Sequence, residues 1–232
     1  MRWSWIWQCP YDDDGWEAFV ASDIGKVILQ TVWEQRVDGC TRCSLHRTRK
    51  KIVFGAGNPE RPRVAFVGLG PGIDEDRVGI PLIGRSGQLF NRMLKAMGLD
   101  RRECYVLNVL ACRSWDPETR KDVDPTAEQL AACTPVWVSQ LKAVRPRVIV
   151  ALGAVAGNTI LGTEGKRVHE LRKKWYAWQS IPLQVTYHPA GLLRQEGLKA
   201  DAWEDLQGVM TRIEEIEQDE ASGGGPLFES VR

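Results

Sequence analysis

His188 follows the apolar stretch Leu183–Tyr187 and directly precedes Pro189, so its ring belongs to a restrained loop at a strand end. From such a place an imidazole can donate to negative charge developing on a departing group. A structural hydrogen-bonding role is the alternative. Asn108 stands at the end of a second apolar strand. Its amide offers one donor group and one acceptor, the pattern that reads an amide-like edge such as O4 and N3 of a pyrimidine. A turn or cap role competes with that reading. The stretch Gly68-Leu-Gly-Pro-Gly72 lets backbone approach a ligand closely, and its amides can hold an anion or a ring carbonyl. It lacks the Lys-Ser/Thr ending of a phosphate-binding P-loop, and it is not the dinucleotide fingerprint. A plain tight turn is its other reading. Asp74, Glu75 and Asp76 follow; one of them can orient a water, or all three form a solvated loop.

The cysteines raise a separate question. Cys-Thr-Arg-Cys at 40–43 brings two thiols together, and Cys112 and Cys133 can complete a four-thiolate site. By composition that set fits zinc and a [4Fe–4S] cluster equally well. Cys104 opens a strand and reads as core, and Cys9 has no near partner.

Alternating strands and helices must position these groups. Residues 22–36 read as a helix with Ser22 as cap and Val27, Ile28, Val32 and Trp33 on its apolar side. Val64–Val67, Tyr105–Leu110, Val148–Leu152 and Leu183–Tyr187 read as strands. Helices are expected over 86–97, from Thr126 onward with Gln129 completing a capping box, over 154–161, and from about 199. The pattern implies one three-layer α/β domain with a central, mostly parallel sheet. Such sheets bind ligands beyond the carboxyl ends of their strands, where the 68–72 loop, Asn108 and His188 all fall.

The 232 residues suit one domain of 38–212, with an N-terminal extension and helix over 1–37 and an acidic, flexible tail over 213–232. The extension carries Trp3, Trp5, Trp7 and Trp16, which suit an edge strand, a clasp over the core or a protein-partner surface. The net charge of +1 conceals five acids between 213 and 220, without which the rest stands at about +6. That permits contact with a phosphate backbone without demanding it. Two basic stretches, His46–Lys51 and Lys166–Lys174, read as phosphate-contact or solvent-exposed segments; the second interleaves with Trp175, Tyr176 and Trp178, as a nucleic-acid surface would. No run is long and apolar enough to span a membrane, and the start lacks the features of a secretory signal. A cytoplasmic monomer is the expectation.

An ordered series of motifs runs through residues 38–210. It comprises Cys40-x-x-Cys43-x-Leu-x-x-x-Arg, Val53-Phe-Gly-x-Gly-Asn-Pro59, Val67-Gly-x-x-Pro-Gly-x-x-Glu-Asp76-x-x-Gly79 and Gly84-Arg-Ser-Gly-Gln88. It continues through Leu107-Asn-Val-x-x-Cys-Arg113, Pro146-x-Val-Ile-Val-Ala-Leu-Gly153 and Thr186-Tyr-His-Pro-Ala-x-Leu-Leu-Arg194. Taken together these resemble the family 4, iron–sulfur uracil-DNA glycosylases. The resemblance implies a uracil-DNA glycosylase-like fold and a base-flipping enzyme that hydrolyses the N-glycosidic bond of deoxyuridine in DNA, single-stranded or duplex. It implies a structural [4Fe–4S] cluster on Cys40, Cys43, Cys112 and Cys133. The base pocket would comprise Gly68, Leu69, Gly70, Pro71, Gly72, Leu82 and Asn108. Asn108 would read the uracil edge, His188 would stabilise the leaving base, and Glu75 and Asp76 match the family's acidic pair. DNA contacts would fall to Arg85, Ser86, Lys166, Arg167 and the 190–194 loop, with Leu192, Leu193 and Arg194 pressed into the duplex.

Two positions depart from the family pattern. Leu69 stands where the family usually has an acid, a change that resembles family 5 enzymes with their apolar residue there, and Leu82 stands where a base-stacking phenylalanine is usual. The Cys112–Cys133 interval is longer than usual, which makes 114–124 a local novelty. It holds no histidine, so the reaction of the DNA-crosslinking relatives is not supported. The alternatives to uracil excision are a catalytically inactive DNA- or protein-binding descendant and an enzyme for another modified base or nucleotide.

Overall fold

The computed structural model describes residues 23–223. The tryptophan-rich start, Ser22, Cys9 and the last residues of the tail lie outside them. Six strands form one sheet: β1 (Ala56–Gly57), β2 (Val64–Gly68), β3 (Cys104–Asn108), β6 (Val148–Leu152), β7 (Tyr176–Trp178) and β8 (Ile181–Thr186), in the order β1-β3-β2-β6-β8-β7. The four central strands are parallel and the two edge strands antiparallel. Two short strands, β4 (Trp115–Asp116) and β5 (Lys121–Asp122), pair as a separate hairpin within the 114–124 segment.

The apolar central strands explain the layering. Every residue of β2, β3 and β6 is buried, so successive side chains must be covered on opposite faces. Ala65, Val67, Ile149 and Ala151 join one core with Leu29 and Val32 of α1 (Asp23–Arg36), Leu141 of α4 (Ala127–Val144) and Ile160 of α5 (Ala154–Leu161). Val64, Phe66, Val148 and Val150 join the other core with Phe90 and Leu94 of α3 (Arg85–Ala96) and Leu206, Val209 and Ile213 of α8 (Lys199–Ala221). The molecule is a three-layer α/β domain with a mixed, mostly parallel sheet. The Thr126 capping box forms as its sequence requires: Thr126 accepts from the Gln129 amide and the Gln129 side chain accepts from the Thr126 amide. No helix among the described residues is long and apolar enough to cross a membrane.

Three expectations change on contact with the fold. First, the acidic run does not leave the domain at residue 213. It continues α8 to Ala221, with Ile213 buried, Glu217 on Arg63 and Glu220 on Arg61 and Arg147. Second, residues 73–78 form a helix, α2 (Ile73–Val78), in which Glu75 and Asp76 are buried, so the acids at 74–76 are no solvated loop. Third, the mixed basic and aromatic stretch is divided: Arg172 is turned inward, while Lys166, Arg167, His169, Lys173 and Lys174 stay exposed. Arg172 is buried and meets Asp205 at 3.0 Å, Asp201 at 3.2 Å and Glu204 at 3.2 Å. Trp175 carries Arg212 over its ring, and Trp178 lies against Trp137.

The Arg172–Asp205 pair also fixes the end of β8, because Thr186 donates its hydroxyl to Asp205 at 2.7 Å. Asp205→Ala leaves the buried guanidinium short of its one fully buried partner. It is expected to cost about 3 kcal/mol, measured by urea unfolding; a loss below about 0.5 kcal/mol would show that Asp201 and Glu204 suffice.

Candidate functional site

The carboxyl ends of the central strands bring three predicted groups together. Gly68 ends β2 and lies opposite Asn108, which ends β3. The ladder continues past both: Val109 donates to Gly68 O and Leu110 to Leu69 O, each at 2.9 Å. The glycine-rich loop therefore leaves the sheet as a further rung of it. A β-carbon at Gly68 would run into Asn108 Oδ1 and lie 3.5 Å from His188 Nε2. The absent side chain is what allows the amide of Asn108 and the ring of His188 to face each other across the strand end. Among the described residues neither the Asn108 amide nor His188 Nε2 has a hydrogen-bond partner.

His188 is set by its own backbone. It caps α7 (Pro189–Arg194), and its Nδ1 accepts from the Ala190 amide at 3.1 Å. An accepting Nδ1 leaves the proton of the neutral ring on Nε2, the atom that faces Gly68. Burial, with the charge of Arg194 adding to it, pushes the ring's pKa down to about 4. At neutral pH the site thus holds an uncharged donor in a poorly solvated place, where a hydrogen bond to developing negative charge is strong.

Glu75 and Asp76 are structural ties rather than water-facing acids. Glu75 Oε1 accepts from the Ile83 and Gly84 amides, both at 2.9 Å, while Asp76 Oδ1 accepts from the Lys50 amide at 2.9 Å. Leu82 does not face the cleft: it is buried in the core cluster of Phe66, Phe90 and Leu94. Leu69 is half-buried against the cluster of Leu45, Leu110 and Cys112. Leu192 is also corrected. The 190–194 segment is helical, and Leu192 is 2% exposed in a cluster with Leu89 and Ala202, which makes it the anchor of α7. Leu193 and Arg194 retain exposure, as do Arg85 and Ser86 at the start of α3 and Lys166 and Arg167 beyond α5. Arg167 is engaged by Glu170 at 3.3 Å.

Cys40, Cys43, Cys112 and Cys133 line one apolar cavity, together with Leu45, Ile52 and Val136. Among the described residues, however, no group of three or more Cys, His, Asp or Glu side chains is arranged to hold a metal ion. The expected [4Fe–4S] cluster, and with it the iron–sulfur and metal-binding character, is corrected on that finding. Two of these thiols accept hydrogen bonds from elsewhere in the protein. Arg49 donates to Cys112 Sγ at 3.6 Å, and the Ala111 amide to Cys133 Sγ at 3.3 Å. Burial pushes these two thiols up, to about 12 and about 11. Burial also raises Cys40, but hydrogen bonds and charge from Arg42 outweigh it and leave that thiol lowered.

Comparison with known proteins agrees with the fold. The model of the uracil DNA glycosylase superfamily matches residues 54–207. A type-4 uracil-DNA glycosylase of Thermotoga maritima is 36% identical over 191 residues, covering 80% of this chain and 95% of the relative. The chain belongs to the type-4 uracil-DNA glycosylase family. Type-4 uracil-DNA glycosylases of Archaeoglobus fulgidus, at 36% identity, and Pyrobaculum aerophilum, at 34%, match 75% and 73% of the chain and 88% and 87% of their own lengths. The structural duties of Glu75 and Leu192 emerge only from burial and hydrogen bonding.

Because folding lowers the His188 pKa, the neutral ring's contribution to stability is complete above about 6.5. It is lost as pH falls through about 4. Nitrogen-15 NMR of the imidazole should show a neutral, Nε2-protonated ring at pH 6. A ring that titrates at its ordinary value would contradict the buried-donor geometry.

Proposed function

We propose that the protein is a monofunctional DNA glycosylase that flips deoxyuridine out of DNA and hydrolyses its N-glycosidic bond. The observation that carries this reading is the pairing of an unengaged Asn108 amide with the neutral Nε2–H donor of His188 across the gap at Gly68. Membership of a family whose relatives are named as uracil-DNA glycosylases supports the same reaction.

In this mechanism Asn108 recognises the pyrimidine edge: its Oδ1 accepts from N3–H and its Nδ2 donates to O4. The bond between C1′ and N1 breaks with its electron pair passing to the uracil ring. His188 Nε2–H donates to the ring oxygen that gathers this charge and lowers the barrier without giving up its proton. Water then adds to C1′, and its proton leaves to solvent. Leu69 offers no base for that water, so leaving-group stabilisation carries the rate, aided by the phosphates of the DNA itself. Leu82, turned into the core, supplies no stacking surface, and base choice rests on Asn108 and the 68–72 backbone. Arg85, Ser86, Lys166, Leu193 and Arg194 are the DNA-facing set in this reading; the cations act through the phosphate backbone, so binding weakens as salt rises.

Single-turnover cleavage of a single-stranded or mismatched oligonucleotide containing uracil, followed by alkali, tests the reading. The full chain is expected to release uracil, and His188→Ala to lower the rate by about 10²- to 10³-fold with DNA affinity little changed. No release at enzyme excess by folded, DNA-binding protein rejects uracil excision in favour of a binding role or another base.

A further inference from the structure

The 81–84 segment lies between α2 and α3 and is held in a conformation its own sequence does not favour. Leu82 is a non-glycine residue with φ of 50°, in the left-handed region. Such a backbone persists only where surrounding contacts over-determine it. Four consecutive backbone groups here are held by two side chains of opposite charge. Arg101 donates from Nη2 to Pro81 O at 2.6 Å and from Nη1 to Leu82 O at 3.0 Å. Glu75 Oε1 accepts from the next two amides, those of Ile83 and Gly84, both at 2.9 Å. Arg101 is itself fixed on α3, through Asn91 Oδ1 at 2.9 Å and its stacking over Phe90. Gly87 completes the fit, since a β-carbon there would collide with the Leu82 carbonyl.

The clamp reaches the cleft through Glu75. Its second oxygen, Oε2, lies 2.7 Å from where a β-carbon on Gly72 would be. Glu75 therefore packs against Gly72, the last residue of the glycine-rich loop, while it holds the 81–84 segment. A planar guanidinium suits the other half of the clamp, because its fork can reach two adjacent carbonyls at once, which an ammonium on a flexible stem does not do.

We propose that Arg101 is a positioning residue: with Glu75 it clamps residues 81–84 as a fixed wall beside the 68–72 loop, so that the cleft is shaped before substrate arrives. The consequence for uracil rests on the glycosylase reading above; the clamp itself does not. Pre-formed walls act chiefly on binding, so loss of the clamp raises KM more than it lowers kcat.

Arg101→Lys in the full chain keeps the charge and removes the fork, and Arg102→Lys, on the exposed neighbour, is the control. Hydrogen exchange of the Ile83 and Gly84 amides is expected to quicken about tenfold or more in Arg101→Lys, with the amides of β2 and β6 unchanged. KM for a uracil-containing oligonucleotide is expected to rise about tenfold while kcat stays within about threefold. Unchanged exchange at 83 and 84 overturns the clamp, as does a loss of rate that only tracks a fall in folded protein. If Arg101→Lys folds poorly, Asn91→Ala removes only the anchor on α3 and is read at the same two amides; unchanged exchange there also overturns the proposal. Wild-type protein that releases no uracil defeats the glycosylase reading alone, since the amide exchange still decides the clamp.

Discussion

The absence of a side chain at Gly68 is the constraint on which the cleft depends. Parallel strands deliver their last residues to one edge of the sheet, and there adjacent side chains would ordinarily fill the space between strand ends. At Gly68 nothing fills it, and Asn108 and His188 come to within reach of the same point. The chemistry of the site is the chemistry of that gap: one amide with both hydrogen-bonding roles open, and one neutral ring aimed at it.

Each neighbour is tied down by a different device. His188 is oriented by the amide of Ala190, α7 by the burial of Leu192, and the end of β8 by Thr186 and Asp205. The loops beyond the sheet are secured by Glu75, Asp76 and Arg101, charged side chains spent on backbone groups rather than on one another. Buried charge of this kind is stable because each group meets several hydrogen-bond partners. It also fixes the loops that flank the cleft.

Most of the fold was legible in the sequence because the central strands are continuous apolar runs and the helices carry clear caps and stripes. Val148–Leu152 and the Thr126 capping box are cases in which local pattern and tertiary structure agree. The convergence of the 68–72 loop, Asn108 and His188 was legible too, since it follows from where strands end. What stayed hidden was the direction of side chains at irregular backbone. The acids at 74–76 look solvated until their helix is seen to turn Glu75 and Asp76 inward. Leu82 looks like a pocket residue until its left-handed backbone sends it into the core. Arg172 and its aromatic neighbours look like a nucleic-acid surface, because composition does not reveal that Asp201, Glu204 and Asp205 arrive from a helix some thirty positions later. The four cysteines line one cavity, but among the described residues that is not a metal-holding arrangement, so the expected cluster does not stand.

The most direct test of the account is the uracil-release rate of Gly68→Ala, measured beside its melting temperature and its affinity for the same oligonucleotide. A methyl group there fills the gap and displaces Asn108 from His188. The account predicts a loss of release of at least about 10²-fold in protein that remains folded and DNA-binding. Release at the wild-type rate would mean that the chemistry lies elsewhere than at this strand end.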